Sequence, residues 1–299
     1  MNVALANYPI SSFSSFSAWQ SHFSAWVQEA VNQGSQVLVF PEYGAMELVS
    51  WAPWAVQQNV VDQIHWMQPY FPDFQRHIQH LAQQHQVLII APSFPVVESS
   101  RAINRVLVCG PAGQVSYQDK AHMTRFENEV WGVTSGDPTL RVFETPWGKI
   151  GIQICYDIEF PIGSALLARA GAQAILAPSC TETLRGATRV HVGARARALE
   201  NQIWVGVSQT TGEAAWSEAV DINYGYTAIY TTPDKDLPET GILQVGPPQE
   251  KGWLIDTLDF QATERVQQDG QVFNARDSQL FWEDALAARP VEYVRMLMP

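Results

Sequence analysis

Short apolar runs of strand length alternate with longer amphipathic segments along most of this sequence. The runs QVLVF, QVLII and IGIQIC are aliphatic and contain few polar residues. The segment FSAWQSHFSAWVQEAVNQG instead spaces its apolar residues along one face of a helix, and Gly34 follows as a stop signal. Strands that are apolar throughout need cover on both faces. The pattern therefore predicts an α/β fold in which helices cover the outer faces of the sheets.

Turn residues join two pairs of these runs and predict β-hairpins. The first is INRVLVCGPAGQVSYQDK and the second is RVFETPWGKIGIQIC. Further helices are predicted at about residues 73–85, 162–170 and 188–201, and the runs YTAIYT and GILQVG predict another antiparallel pair. The Pro- and Trp-rich stretch 51–72 predicts irregular structure.

The chain of 299 residues contains no low-complexity linker, so we expect one domain over residues 1–270. Residues 271–299 then form a C-terminal tail that we expect to pack on this domain or on a partner subunit. Charged residues make up only 16% of the chain, below the roughly 25% that is usual for soluble domains. This low fraction favours a homo-oligomer, in which part of the surface is buried.

Composition argues against several classes of function. The net charge of −12 and the absence of a Lys/Arg cluster disfavour binding to nucleic acid. The N-terminus has no basic and apolar signal-peptide pattern, and no window has the roughly 18 apolar residues of a membrane span, so we expect a cytoplasmic protein. Three cysteines without CxxC spacing disfavour a disulfide framework and a structural zinc site.

Three polar residues follow apolar runs and could meet at one edge of the fold. Glu42 ends VLVFPE, Lys120 follows QVSYQD, and Cys155 ends IGIQIC. Ligand sites of α/β proteins lie at the carboxyl ends of strands. Each residue alone has an ordinary explanation, since a free cysteine is usually buried packing and a lone Glu or Lys is usually solvated. Their joint occurrence is what suggests a site.

These three residue types suit covalent acyl transfer. A thiolate attacks a carbonyl or nitrile carbon, and a nearby ammonium lowers the thiol pKa and stabilises the oxyanion that forms. A carboxylate can take the thiol proton, pass it to the leaving amine and then activate water.

The segments FPEYG, YQDKAH and IGIQICYDIEFP, in this order, resemble the Glu–Lys–Cys motifs of the nitrilase, or carbon–nitrogen hydrolase, superfamily. The similarity continues through RARALENQIWVGVSQTTG and YTAIYTTPDKDLPETGIL and spans about residues 1–268. It implies a four-layer α-β-β-α sandwich that forms homodimers or larger homo-oligomers. It also implies hydrolysis of a small molecule without a cofactor or metal ion.

The resemblance assigns roles to individual residues. Cys155 becomes the nucleophile, Glu42 the general base, and Lys120 the oxyanion stabiliser and proton partner. The backbone N–H of Tyr156 completes the oxyanion hole. His122, which could otherwise form a Cys–His pair, is interpreted as structural.

The superfamily also carries a second glutamate between the lysine and cysteine motifs. The segment FENEVWGVTSGD offers Glu127 and Glu129. The distance to the following Gly-Asp pair favours Glu129 as the orienting or auxiliary acid–base group, with Glu127 as the competitor. Trp131 in the same segment is a candidate for lining the substrate pocket.

The residues after the cysteine bear on the substrate. Cys-Tyr-Asp resembles the amidase-like branches, whereas nitrilases usually have Cys-Trp-Glu, so an amide or N-carbamoyl substrate is preferred to a nitrile. Glu159 stands where ω-amidase-type members tend to have a basic residue, and in the pocket it would disfavour a substrate carboxylate. Alternatively, Glu159 pairs with Arg185 or Arg189 and contacts no substrate. A hypothesis of another class is a non-catalytic binding homologue with the same fold.

The other two cysteines, Cys109 and Cys180, are expected to pack in the core or near the end of the sheet.

Overall fold

A computed structural model describes residues 1–278, and the part of the predicted tail at 279–299 lies outside the described residues. The strands are β1 (Asn2–Pro9), β2 (Val37–Val39), β3 (Leu88–Ile90), β4 (Phe94–Glu98), β5 (Arg101–Cys109), β6 (Val115–Asp119), β7 (Val133–Thr134), β8 (Phe143–Thr145), β9 (Gly148–Ile152), β10 (Ala174–Ser179), β11 (Trp204–Glu213), β12 (Ile222–Asn223), β13 (Ala228–Tyr230), β14 (Ile242–Val245) and β15 (Gly252–Thr257). The α-helices are α1 (Phe16–Asn32), α2 (Trp54–Gln57), α3 (Val60–Met67), α4 (Phe71–His85), α5 (Arg125–Glu129), α6 (Pro161–Arg169), α7 (Leu184–Asn201) and α8 (Phe260–Asp269). Four 3₁₀ segments complete this part of the chain: Gly44–Trp51, Gln68–Tyr70, Cys155–Glu159 and Glu218–Val220.

The strands form two sheets that join at one corner. The first sheet contains β15, β1, β2, β3 and β5 as neighbours, with β4, β6 and β7 also paired to β5. The second sheet contains β8, β9, β10, β11, β13 and β14, with β12 on β11. Among residues 1–278 the two sheets are continuous where the ends of β1 and β11 pair in parallel, at Asn7–Pro9 and Gln209–Thr211.

Alternation along β1 shows how the layers stack. Its even-numbered residues Ala4, Ala6 and Tyr8 lie in a core with α1 and α4, whereas Val3 and Leu5 belong to the other core, which is shared with the second sheet. A Cβ placed on Gly206 of β11 would lie 3.1 Å from Leu5, so the two sheets are in direct contact there. Helices α6 and α7 cover the outer face of the second sheet. The expected four-layer α-β-β-α sandwich is confirmed.

Most predicted elements occur where the apolar periodicity places them. Both predicted hairpins are present as the antiparallel pairs β5–β6 and β8–β9. The later antiparallel pair is β13–β14.

The expectation of irregular structure over residues 51–72 is wrong, because α2, α3 and the beginning of α4 occupy it. Asn59 caps α3 by accepting a hydrogen bond from the backbone N–H of Asp62. Val60, Ile64 and Met67 are buried at helical spacing. The prolines and tryptophans obscured this short but regular pattern.

The first residues of the predicted tail lie against the domain. The side chain of Gln202 donates to the backbone oxygen of Val272 at 3.0 Å and accepts from the backbone N–H of Ala275 at 3.1 Å.

Among the helices of residues 1–278, none combines the length and apolarity needed to cross a bilayer.

Candidate active site

The structure brings Glu42, Lys120 and Cys155 together in a buried cluster. Glu42 follows β2, Lys120 follows β6 and Cys155 follows β9, so all three stand just beyond the carboxyl ends of strands. The Lys120 ammonium is 2.7 Å from Glu42 Oε1. Glu42 and Lys120 are each 1% exposed and Cys155 is 5% exposed. Convergence of side chains that are far apart in sequence is what covalent chemistry at this edge requires.

Lys120 has a second carboxylate partner, which is Glu127. Its ammonium lies 2.6 Å from Glu127 Oε2. Glu127 is the third residue of α5, and the helix begins with a capping box in which the Thr124 backbone N–H donates to the Glu127 carboxylate. The sequence Thr-Arg-Phe-Glu carries this capping signal, and it identifies which glutamate turns inward.

Glu129 lies outside the cluster, so its expected position at the site is wrong. Its carboxylate pairs with the Arg125 Nε at 2.7 Å, and its side chain is 56% exposed. Glu127 and Glu129 are two residues apart on a short helix, and such residues point to different faces. The Gly-Asp spacing could not separate the two, whereas the direction of the helix does.

Two further residues that the sequence did not single out complete the hydrogen bonding. Asn104 on β5 donates from Nδ2 to Glu42 Oε1 at 2.8 Å and to Glu127 Oε1 at 3.3 Å. The Tyr43 hydroxyl donates to Glu127 Oε1 at 2.8 Å. These donors fix both carboxylates around the Lys120 ammonium. Tyr43 lies in the FPEYG motif and Asn104 in the first predicted hairpin, but neither was assigned a role from the sequence.

Cys155 stands at a sharp turn from strand to 3₁₀ helix. Its φ is 48°, in the left-handed region of backbone conformation that residues other than glycine rarely adopt. Backbone strain of this kind is typical of functional sites. The Cys155 thiol points to the backbone oxygen of Cys180 at 3.4 Å, and the Cys180 N–H donates to Glu42 Oε2 at 3.1 Å. Cys180 therefore packs at the end of the sheet, beside the cluster, whereas Cys109 is fully buried in the core.

The environment gives the two glutamates different proton affinities. Burial raises the pKa of Glu42 to about 7, against the opposing effect of Lys120. Burial also acts on Glu127, but the Lys120 ammonium outweighs it and lowers the Glu127 pKa. Burial lowers the affinity of Lys120 for its proton, yet the two carboxylates raise its pKa well above the usual value. Lys120 and Glu127 thus form a charged pair, and Glu42 remains able to exchange a proton near neutral pH.

The Cys155 thiol is protonated at rest. Burial raises its pKa, the charge of Glu42 adds to that effect, and Lys120 opposes it. A thiol in this state needs a base to become a nucleophile, and Glu42 is the neighbouring carboxylate whose pKa suits that task.

The His122 ring contacts Asp157 and Phe160. Its Nδ1 lies 2.9 Å from Asp157 Oδ1, and its ring stacks on Phe160 with centroids 4.2 Å apart. Asp157 raises the His122 pKa.

The remaining predicted residues lie around the cluster. Tyr156 follows Cys155 in the same 3₁₀ segment, and Trp131 packs edge-to-face on Tyr43 with centroids 6.0 Å apart. Glu159 Oε1 lies 3.4 Å from the Arg189 Nε, so the ion pair that the alternative interpretation predicted is present.

Solved structures share this fold. A carbon-nitrogen hydrolase from Helicobacter pylori G27 superposes with a TM-score of 0.76 at 17% identity, over 97% of this chain and 98% of that one. A mutant amidase from Nesterenkonia sp. AN1, in which acrylamide has added to the active-site cysteine, gives a TM-score of 0.69 at 17% identity, over 96% and 99% of the two chains.

Sequence relatives extend the comparison. The probable hydrolase YhcX of Bacillus subtilis (strain 168) is 32% identical over 281 residues, which are 93% of this chain and 53% of that protein. The chain thus spans about half the length of that relative. The omega-amidase NIT2 of Homo sapiens is 22% identical over 302 residues, 93% of this chain and 96% of that protein. The sequence profile of the carbon-nitrogen hydrolases matches residues 2–268. From this match, the relatives and the fold, the chain is a member of the carbon–nitrogen hydrolase family.

Proposed function

We propose that this protein hydrolyses a non-peptide C–N bond of a small amide or N-carbamoyl compound through a thioester on Cys155. The observation that carries the proposal is the buried Lys120 ammonium, held between Glu42 and Glu127 beside the thiol. The two carboxylates offset part of the energetic cost of burying the ammonium, and the ammonium offers positive charge where an oxyanion would form.

The first half of the reaction forms the thioester. Glu42 takes the thiol proton as Cys155 Sγ attacks the carbonyl carbon, and the carbonyl oxygen becomes an oxyanion. Lys120 and the backbone N–H of Tyr156 stabilise that charge. Glu42 then gives its proton to the nitrogen, the C–N bond breaks, and ammonia or an amine leaves.

The second half releases the acid. Glu42 takes a proton from water as the water oxygen attacks the thioester carbon. The tetrahedral intermediate expels the Cys155 sulfur, which recovers the proton from Glu42, and the carboxylic or carbamic acid departs. One water molecule is consumed for each C–N bond, and the enzyme returns to its starting state.

An amide substrate has more support than a nitrile. Cys155 is followed by Tyr and Asp, as in amidase-like branches, and the relatives include proteins named omega-amidase and amidase. Because Glu159 pairs with Arg189, nothing supports Glu159 as a substrate contact. Trp131 keeps its proposed place near the pocket, because it packs on Tyr43, which binds Glu127.

Replacing the nucleophile tests the proposal directly. Cys155→Ala and Cys155→Ser should abolish ammonia release from an amide library while the thermal unfolding midpoint stays near that of the wild type. Intact-protein mass spectrometry of the wild type after exposure to the library should show an acyl mass on Cys155. Turnover by the Cys155→Ala variant would disprove the thioester mechanism.

The same assays separate the alternatives. Amide and nitrile substrates with the same acyl group, compared by ammonia release, distinguish an amidase from a nitrilase. A wild-type protein that forms no acyl adduct with either, and whose Cys155 resists thiol reagents, would be a non-catalytic binding homologue instead.

A further inference from the structure

The candidate site is assembled from two halves that belong to different sheets. Glu42, Lys120 and Glu127 stand on loops and a helix of the first sheet, whereas Cys155 ends β9 of the second sheet. Within residues 1–278 the backbones of the two sheets pair at the ends of β1 and β11, and the Cys180 N–H joins Glu42 to the second sheet. The distance between the Lys120 ammonium and the Cys155 sulfur depends in addition on contacts that hold the loop after β6 against the turn after β9.

One carboxylate makes several of these contacts. Asp157 lies in the turn of Cys155 and is 2% exposed. Its Oδ2 accepts the backbone N–H of Ala121 at 3.2 Å and its Oδ1 accepts that of His122 at 2.8 Å. Ala121 is the residue directly after Lys120. Within its own turn, Asp157 also accepts the N–H of Ile154, the residue directly before Cys155, at 3.3 Å.

We propose that Asp157 is a positioning residue that sets the placement of Lys120 relative to Cys155 by binding the residues adjacent to both. The inference rests on the proposed function and assigns Asp157 no contact with substrate. Its carboxylate joins the two halves with four N–H donors, three from the backbone and one from the His122 ring.

An asparagine cannot replace this carboxylate. If the amide nitrogen takes the place of Oδ1, it faces the N–H and ring nitrogen of His122; in the place of Oδ2, it faces the N–H of Ala121 and Ile154. Either orientation breaks one link to the loop of Lys120 and leaves buried donors unpaired. Asp157→Asn should therefore keep the volume of the side chain but no longer hold Lys120 in place relative to Cys155.

His122 contributes two of the four donors, its ring nitrogen and its backbone N–H, and a change of its side chain removes only the first. His122→Ala should therefore be much milder than Asp157→Asn. His122→Asn, which restores a side-chain donor, should recover most of what His122→Ala loses. If Asp157 positions the site, Asp157→Asn should lose more activity than His122→Ala. If His122 acts on the thiol itself, His122→Ala should lose more activity than Asp157→Asn.

The experiment compares these variants with a matched control. Asp234→Asn removes another buried carboxylate that accepts backbone N–H groups, from Lys235 and Gln271, away from the cluster. The turnover rate is divided by the concentration of titratable Cys155 thiol. A loss of folded protein is then not counted as a loss of kcat. The pH midpoint of Cys155 alkylation by iodoacetamide is measured by mass spectrometry in parallel.

For Asp157→Asn we expect kcat to fall by on the order of 10²-fold with KM little changed, because misplacement of about 1 Å has an effect of that size. The alkylation midpoint should move to higher pH, because Lys120 no longer favours the thiolate. The proposal is overturned if Asp157→Asn behaves like Asp234→Asn in both measurements, or if His122→Ala is as damaging as Asp157→Asn. If the wild type turns over no amide, the proposed function fails, and the alkylation midpoint still tests the role of Asp157.

Discussion

At the scale of single residues, two glutamates of the same chemistry differ because of what surrounds them. The Glu127 carboxylate pairs with the Lys120 ammonium and accepts hydrogen bonds from the Tyr43 hydroxyl and the Thr124 backbone N–H, and these contacts stabilise its negative charge. Glu42 is equally buried, and the nearby charge of Glu127 adds to the effect of burial on its pKa. The ionised Glu127 thus keeps Lys120 charged, and Glu42 can accept and return a proton.

The raised pKa of Glu42 predicts how activity depends on pH. The base must be ionised to accept the thiol proton, and a pKa of about 7 means that protonation removes the active form as pH falls below 7. We expect kcat/KM to drop about fivefold from pH 7 to pH 6 and about tenfold from pH 6 to pH 5, in line with ionisation of one group with a pKa of about 7. An amide assay from pH 5 to 9 measures this. A rate that stays constant down to pH 5 would mean that the base has an ordinary glutamate pKa.

The pair Glu127 and Glu129 provides a matched comparison. Glu127→Gln removes the negative charge beside Lys120 and places an amide where a carboxylate accepts five hydrogen bonds. We therefore expect kcat to fall at least about tenfold, the equivalent of one pKa unit at the cluster. Glu129→Gln removes only an exposed pair with Arg125, worth less than about 0.5 kcal/mol. Its kinetics and unfolding free energy should match the wild type. Equal losses of kcat in the two variants would contradict the assignment of Glu127, and not Glu129, to the cluster.

At the scale of elements, helix α7 supports the turn that carries Cys155. A Cβ on Gly193 of α7 would lie 2.8 Å from the backbone oxygen of Ile158 and 3.2 Å from the Cα of Glu159. The Arg197 guanidinium, one turn further along α7, donates to the backbone oxygen of Glu159 at 3.2 Å. The helix thus approaches the 3₁₀ segment closely enough that only glycine fits at the contact.

Gly193→Ala should consequently destabilise the protein, although the same change inside a helix usually stabilises it by up to about 1 kcal/mol. Overpacking against the rigid backbone of the turn should lower the unfolding free energy by about 1–3 kcal/mol and lower kcat by moving Cys155. Chemical denaturation and the amide assay measure both effects. Thr188→Ala, at an exposed position of the same helix, is the control and should lower neither. An increase in stability for Gly193→Ala would refute the close packing.

At the scale of the whole molecule, an apolar surface remains on the outer helices of the second sheet. Ile162 and Leu166 on α6 and Val192 on α7 are each at least half exposed. Apolar residues grouped on neighbouring helices are typical of surfaces that another subunit covers. The homo-oligomer expected from the composition stays a prediction, and this face is where we place the contact with a second copy.

Light scattering after size exclusion tests the assembly. The wild type should elute at a multiple of its 33.4 kDa mass, and Leu166→Asp or Val192→Asp should shift it towards the monomer, because a carboxylate in an apolar interface is costly to desolvate. Ile222→Asp changes a residue of similar exposure on β12 and should leave the mass unchanged. A wild type that elutes as a monomer would contradict the expectation.

Most of the elements and the three chemical groups of the site follow from local sequence. Apolar periodicity is local, so it predicted β1, α1 and both hairpins, and the motifs around Glu42, Lys120 and Cys155 are contiguous stretches of chain. The capping sequence Thr-Arg-Phe-Glu that ends at Glu127 is also local, but the preference for Glu129 rested on the spacing to the Gly-Asp pair alone.

Which residues surround those groups depends on tertiary packing, which the sequence did not predict. Asn104 binds Glu42 across 62 residues of chain, and Asp157 binds the loop of Lys120 across 35 and 36 residues. Such contacts depend on how two sheets stack and on which way each loop turns, and neither leaves a periodic pattern in the sequence. The choice of Glu127 over Glu129 has the same physical reason: a short helix buries one face, and the packing of α5 against Lys120 selected that face.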